Sequence, residues 1–377
     1  MSVRPIRASD HAAINRLYRS VGWPERSAEG WRWLSAAPGA EGAPLGFVVV
    51  DEQDEPAAVV GNMVQRFHRG EAVLTGATGY SIVVPPARAG ASRSLIRAVL
   101  NQPGLFAAYT FNANAKAAPL YKLFGMSPYP VQTPALKLSW AADWPAVLAG
   151  KILRRLLGGL SAEQARRMGD RLVPRRALAP APLRLPEGVA VLRDLADASP
   201  YADYWRALKA EGRLIADRSP AVMRWRMADP DQTQPPLLLA QVRDGRIEGV
   251  AMAMVAKVSV LEPPCLEIID LTARADAPDA IERLAGALIA NARALGCAKT
   301  RLSVTNPDLL DALGDLPPRA RREGGWGHCH ARIADPALAA EWRPTPFDGD
   351  FSICSRPVPP PRRRGARAPT QGGLAKA

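Results

Sequence analysis

The stretch from Asn114 to Met126 has the residue types and spacing of a chemical site. An apolar run, Leu105 to Phe111, precedes it and predicts a strand. Asn114-Ala-Lys-Ala117 predicts a loop, the residues up to Phe124 a short helix, and Gly125 its end. Such a helix holds one phenol, that of Tyr121, at a fixed point. A phenol is a donor with a high pKa, suited to meeting charge that builds on a leaving group. The competing reading is a half-buried aromatic that only packs.

A second segment stands before it. Val83, Val84 and Pro85 predict the end of a strand, and Arg88, Ala89, Gly90, Ala91, Ser92 and Arg93 a short loop running into a helix. Small residues let a backbone approach a ligand closely, and the free N–H groups of a helix start favour an anion. Arg88 and Arg93 add charge suited to a phosphate-rich ligand. Ala91 fits such a loop only where the backbone does not need a positive φ.

In this order the two segments resemble the acyl-CoA site of the GNAT superfamily of acyltransferases. Asn114-x-x-Ala117-x-x-Leu120-Tyr121-x-x-x-Gly125 is similar to its tyrosine helix, and Val83-Val-Pro85 with the residues after it to its pyrophosphate loop. The loop departs from the usual pattern, with Ala91 and Arg93 where glycines are expected. The chain apart from its tail resembles bacterial tandem GNAT-like proteins associated with exopolysaccharide biosynthesis. That likeness rests on Trp31-Arg32-Trp33, Phe111-Asn-Ala-Asn114, Arg224-Trp225-Arg226 and Trp342-Arg-Pro-Thr-Pro-Phe-Asp348-Gly-Asp350-Phe351.

The resemblance implies acetyl-CoA or another acyl-CoA as co-substrate, without a metal. It implies N-acyl transfer to the primary amine of a small molecule, an amino sugar being one such acceptor. Tyr121 is then the catalytic acid for the departing thiolate. Val83, Val84, Arg88, Ala89, Gly90, Ala91, Ser92, Arg93 and Asn114 are implied to hold the cofactor. The base is not implied: from Ala72 to Leu123 there is no Asp or Glu, where many members carry a carboxylate. Tyr80, Ser81, His68 and a water chain remain. This gap keeps a second reading open, a non-catalytic scaffold that binds acyl-CoA or a glycan. A third is transfer from an aminoacyl donor.

The elements that must position these residues repeat along the chain. Ser27 to Pro38 aligns without a gap with Ser219 to Pro230, with Ser, Arg-Trp, Ala and Pro coinciding. Hairpin patterns follow both. The expected fold class is α/β, two tandem GNAT-like domains, each a mixed central sheet flanked by helices. Expected strands in the first half lie near 3–7, 45–51, 56–66, 73–84, 105–111 and 133–139, and helices near 10–20, 27–36, 90–101 and 115–124. The expected organisation is 1–140 as the acyl-CoA-binding domain, 141–188 as a basic helical connector and Pro-rich linker, 189–356 as a degenerate GNAT-like domain, and 357–377 as a disordered basic tail. The second half offers no tyrosine in Asn306 to Gly314, and carries Asp270, Asp276 and Asp279 where the loop should be. Those carboxylates are expected to repel a pyrophosphate.

The net charge of +13 does not predict a specific nucleic-acid partner. Residues 151–184 carry +7 and residues 355–377 carry +6, so the rest of the chain is neutral. Weak association with acidic surfaces through connector or tail is the expectation. In the connector, Leu148, Ile152, Leu153, Leu156, Leu157 and Leu160 predict an amphipathic helix broken by Gly158-Gly159. A helix bridging two domains is favoured over one lying on an anionic membrane. Four scattered cysteines and the absence of an apolar leader point to the cytoplasm. His328 and His330 are expected to be strand residues facing one side, not metal ligands.

Overall fold

The computed structural model describes residues 2–113, 115, 117–169, 180–257, 259–304, 306–324 and 328–359. The first half runs β1 Ser2–Pro5, α1 His11–Ser20, α2 Ala28–Ser35, β2 Gly46–Val50, β3 Pro56–Arg69, β4 Ala72–Val83, α3 Ala91–Leu100, β5 Leu105–Thr110, α4 Ala118–Leu123, β6 Ser127–Pro128 and β7 Leu136–Ala141. Two connector helices follow, α5 Trp144–Leu156 and α6 Ala162–Gly169. The second half repeats the order as β8 Val189–Val191, α7 Pro200–Ala210, β9 Ile215–Ala216, α8 Pro220–Met227, β10 Leu237–Arg243, β11 Arg246–Lys257, β12 Pro264–Ala273, α9 Ala280–Asn291, β13 Lys299–Ser303, α10 Pro307–Ala312, β14 Arg321–Gly324 and β15 His330–Ile333. The chain closes with α11 Pro336–Glu341, α12 Phe351–Cys354 and β16 Arg356–Pro357.

Two mixed sheets result, and each half lends a strand to the other. The first sheet has the order β1-β2-β3-β4-β5-β15-β6, the second β14-β7-β13-β12-β11-β10-β8, with β9 and β16 added at β3 and β11. β7, the strand expected near 133–139, pairs antiparallel with β13, Arg301 opposite Ser139. β15 pairs antiparallel with β5, His330 opposite Thr110. Hydrophobic alternation marks a strand but not its neighbour, which is why the exchange is invisible in the sequence.

The two segments aligned in the sequence meet at one contact. Trp33 and Trp225, paired by the sequence alignment, stack with ring centroids 4.4 Å apart at 8°. Each indole N–H donates to the other's backbone carbonyl, at 2.7 Å and 2.8 Å. The two copies of one motif thus meet across a local pseudo-twofold.

A shared core lies between the sheets. Phe67, Tyr109 and Phe111 pack on Met223, Leu238 and Ile269, around a fully buried Trp342. Inside it, Arg218 bridges Asp270 at 2.6 Å and Asp348 at 3.1 Å, and the Trp342 indole donates to the same Asp348 at 3.0 Å. Buried charges need such pairing. The three aspartates in the acidic segment of the second half are all paired. Asp270 is neutralised by Arg218, Asp276 by Arg246 and Arg274, and Asp279 by Arg243. None is an uncompensated repulsive charge.

The connector also differs from expectation. Gly150 lets α5 close on the chain near Pro263, whose Cδ lies 2.6 Å from where a Cβ would stand. The far face of α5 is exposed, so the helix rests on the second half without being enclosed between the two. Of the linker at 177–186, residues 180–186 are described. Asn291 clamps this strand-like stretch, accepting from the Arg184 amide at 2.8 Å and donating to its carbonyl at 2.9 Å. In the tail, residues 360–377 lie outside the described part.

Candidate active site

The site begins where two parallel strands part. β4 and β5 are joined by the α3 crossover that parallel pairing requires, and their ladder runs from Thr75–Leu105 to Thr78–Tyr109. Beyond Thr78, β4 continues to Val83 paired only with β3 on its other side. The register with β3 shifts by one residue between Val59 and Gly61. At this bulge Ser81 adopts φ 47°, a left-handed conformation that costs a non-glycine residue energy. A bulge re-aims side chains. Here the Tyr80 ring lies over Gly61, at 2.4 Å from where a Cβ would be, and Ser81 Oγ reaches Cys354 Sγ at 3.4 Å.

A cavity of about 500 Å³ opens from this gap. Its first wall is Gly79 to Ile82 on β4, with Thr110, Asn112 and Tyr121. Its second wall is Lys137 on β7, Glu267 on β12 and Arg301 on β13, all from the second sheet. Asp350 and Cys354 close it from the C-terminal segment. Strand exchange is what brings these walls together, because β7 belongs to one half by sequence and to the other by pairing.

Tyr121 stands on α4, whose end is set by Gly125 at φ 76°, the expected C-cap. Its side chain is buried, and burial, then the charge of Asp350, pushes the phenol up to about 12. The Thr110 hydroxyl is its hydrogen-bond partner. The imidazole of His330 lies beside it, ring centroids 5.9 Å apart. Burial lowers the His330 pKa, so its ring is neutral, and both nitrogens lack a hydrogen-bond partner among the described residues.

The cavity holds one buried aspartate, Asp350, from the far end of the chain. Asp350 is 4 % exposed. Burial raises its pKa to about 6, against a hydrogen bond from the Cys354 thiol that lowers it. Its Oδ1 has no partner among the described residues. Burial keeps the Cys354 thiol protonated. Ser81, Cys354 and Asp350 thus form one short polar chain along the cavity. The turn that presents Asp350 is built by the Trp342 to Phe351 motif. Thr345 donates to Asp270 at 2.7 Å, and Arg226 donates to the Phe347 carbonyl at 3.0 Å. Sequence reasoning noted this motif but had no signal for its partner strand, so Asp350, Lys137, Glu267 and Arg301 were all missed as site residues.

On the second wall, Arg301 holds Glu267 through two contacts of 2.7 Å and 2.9 Å. Burial and then Arg301 lower Lys137 to about 8. Of the earlier base candidates, Tyr80 is pushed well above its ordinary value by burial and stays a phenol. His68 lies elsewhere, its Nε2 3.7 Å from Asp217 and its ring against Trp205.

The loop residues fall into two groups. Val83 and Ala91 are buried at 3 % each, and Val84 packs beside Ala91, Leu95 and Val99. These side chains pack under the loop and fix its backbone. Ala91 opens α3 with helical backbone, so glycine is not required there. Arg88, Ala89, Gly90, Ser92 and Arg93 lie at the surface end of the helix. The first turn of α3 has no side-chain cap, and space around Gly90 is open. Asn114 lies outside the described residues. Among those described, no group of His, Cys, Asp and Glu could hold a metal ion.

No family model and no curated protein matches this sequence. Solved structures match it in shape. Saccharomyces cerevisiae N-myristoyltransferase with bound myristoyl-CoA superposes with a TM-score of 0.52 at 11% identity, over 92% of this chain and 80% of that one. A GCN5-related N-acetyltransferase from Anabaena variabilis gives 0.51 at 13%, over 89% and 74%. An Enterococcus faecalis protein described as a probable N-acyltransferase gives 0.50 at 11%, over 89% and 73%. At these identities the likeness is one of fold, and it spans both sheets. This chain therefore has the mixed α/β fold of the GNAT acyltransferases, with two sheets of that kind in one molecule.

Proposed function

We propose that this protein transfers an acyl group from acyl-CoA to the primary amine of a small molecule, at the cavity where β4 and β5 part. The observation that carries this reading is Asp350 Oδ1, a buried carboxylate oxygen without a partner among the described residues, in the same cavity as Tyr121. A buried acid poised near neutrality is what a general base requires.

The residues present fit an acyl-CoA. The uncapped start of α3 offers backbone N–H groups to a pyrophosphate. The Arg88 and Arg93 guanidiniums make no ion pair among the described residues, so both are available to phosphate. The acyl chain follows the unpaired edge of β4 into the cavity, where backbone N–H groups can polarise the thioester carbonyl.

Asp350 takes a proton from the amine as its nitrogen attacks that carbonyl. The C–S bond breaks, an amide forms, and charge moves to sulfur. Tyr121, with its phenol near 12, stays protonated and donates a hydrogen bond to the sulfur as charge builds. Complete transfer would be uphill, since thiols have pKa values of about 8.5. Lys137, Glu267 and Arg301 give the acceptor a polar wall. That wall suits a hydroxylated amine, and amino sugars are the first class to test.

The test is thiol release from acetyl-CoA and longer acyl-CoAs against a panel of amino sugars and simple amines, with amide product identified by mass. Amine-dependent release supports transfer. Tight acyl-CoA binding with no release for any amine would instead assign a binding scaffold.

A further inference from the structure

The solvent face of α5 is apolar along its whole length. Trp144, Leu148, Ile152 and Leu156 are 66, 59, 48 and 74% exposed. They recur at every fourth position, so they line one stripe about 18 Å long at 1.5 Å per residue. Proteins rarely leave a contiguous apolar strip of this length in water. The inner side of the helix is already used: Gly150 abuts Pro263, and Arg154 pairs with Glu262 at 2.7 Å. The stripe is therefore not a face awaiting the second half.

Charge says what covers it. Lys151 and Arg155 follow the stripe along one edge, with no ion pair among the described residues. From Trp144 to Gly169 the sequence has five Lys or Arg and one Glu. Met168 on α6 continues the apolar exposure. An apolar strip edged by cations matches a surface that is greasy below and anionic above, the boundary of an acidic bilayer. Tryptophan at one end suits the same boundary. No helix among the described residues is long and apolar enough to cross a membrane, so the contact is with the surface.

We propose that α5 binds the surface of an anionic phospholipid bilayer, with Trp144, Leu148, Ile152 and Leu156 in the headgroup boundary and Lys151 and Arg155 on lipid phosphates. The end of α6 is tied to the cavity wall, since Lys257 donates to the Gly169 carbonyl at 2.9 Å. Docking therefore bears on the segment that borders the candidate site.

Vesicle co-sedimentation of the full chain tests this, with phosphatidylcholine alone and with about one third phosphatidylglycerol, in about 0.1 M salt. The wild type is expected to bind the anionic vesicles at least about tenfold more tightly. Leu148→Glu with Ile152→Glu, at exposed positions, should keep the melting temperature and lose about tenfold or more in affinity. Lys151→Glu with Arg155→Glu should lose a similar factor. Three results would overturn the proposal: no binding to anionic vesicles, binding undiminished in the Leu148/Ile152 variant, or a wild-type dimer that the same variant dissolves. The second would assign lipid binding to the basic C-terminal residues, the third would make the occupant a second copy.

Discussion

At the scale of single residues, the proposed chemistry divides between Tyr121 and Asp350, and their legibility differs for a physical reason. Tyr121 is announced by its own neighbours: an apolar strand before it and Gly125 after it, which takes the left-handed φ the helix end needs. Asp350 acts on residues remote in sequence, and nothing local marks an aspartate as buried. Tyr121→Phe keeps the ring and removes its donor. The expected result is a loss of about 10²–10³ in kcat, with the KM for acyl-CoA and the melting temperature little changed. A fall in stability with unchanged turnover would show a packing residue instead. Asp350 also predicts a pH dependence of stability. Its folded pKa is raised from 3.8 to about 6 by burial. The contribution is thus fully present below 3.8 and lost as pH rises through about 6. Asp350→Asn should therefore melt above the wild type at pH 8 and level with it near pH 4, as calorimetry at the two values will show. A constant difference across that range would contradict the burial argument.

At the scale of elements, the strands and helices of the first half were legible because alternation and helical spacing are strong there. β6, two residues long, left no pattern. The loop before α3 was legible in outline only. Its side chains sort by burial, which spacing cannot report: Ala91 packs on Leu95 while Arg93 faces solvent. Arg88→Glu and Arg93→Glu should each weaken CoA binding by more than about tenfold in titration calorimetry, with Arg193→Glu, exposed in the second half, as the charge control. Ala91→Asp would instead bury a carboxylate and lower the melting temperature. Equal loss from Arg193→Glu would reduce the loop to a long-range field. The Trp33–Trp225 pair makes its own prediction. Each indole donates to the other's backbone, so either substitution to Ala should cost on the order of 3 kcal/mol. The double variant should cost less than the two together.

At the scale of the molecule, the halves share an element order but are joined by exchanged strands. The sequence showed the repeat through Arg32-Trp33 and Arg224-Trp225. It could not show that β7 and β15 change sheets, because strand pairing is a long-range choice. Each half alone would leave β5 or β13 with an unpaired inner edge, a state prone to aggregation. Residues 1–140 or 189–359 expressed alone should fail to give a cooperative melting transition, while their co-expression with the connector present should restore one. Two independently folding fragments would contradict the exchanged sheets. The same exchange is why the candidate site needs both halves: Tyr121 comes from the first, Lys137 from the lent strand, and Asp350 from the C-terminal segment. The role of Asp350 is tested most sharply by the pH profile of acyl transfer in Asp350→Asn beside the wild type. With Asp350 as the base, the wild-type rate is expected to rise with pH through about 6, the value burial gives that carboxyl. The variant should be slower by about 10²–10⁴ and lack this limb, with acyl-CoA affinity unchanged. Transfer at the wild-type rate with the limb intact would rule out Asp350 as the base.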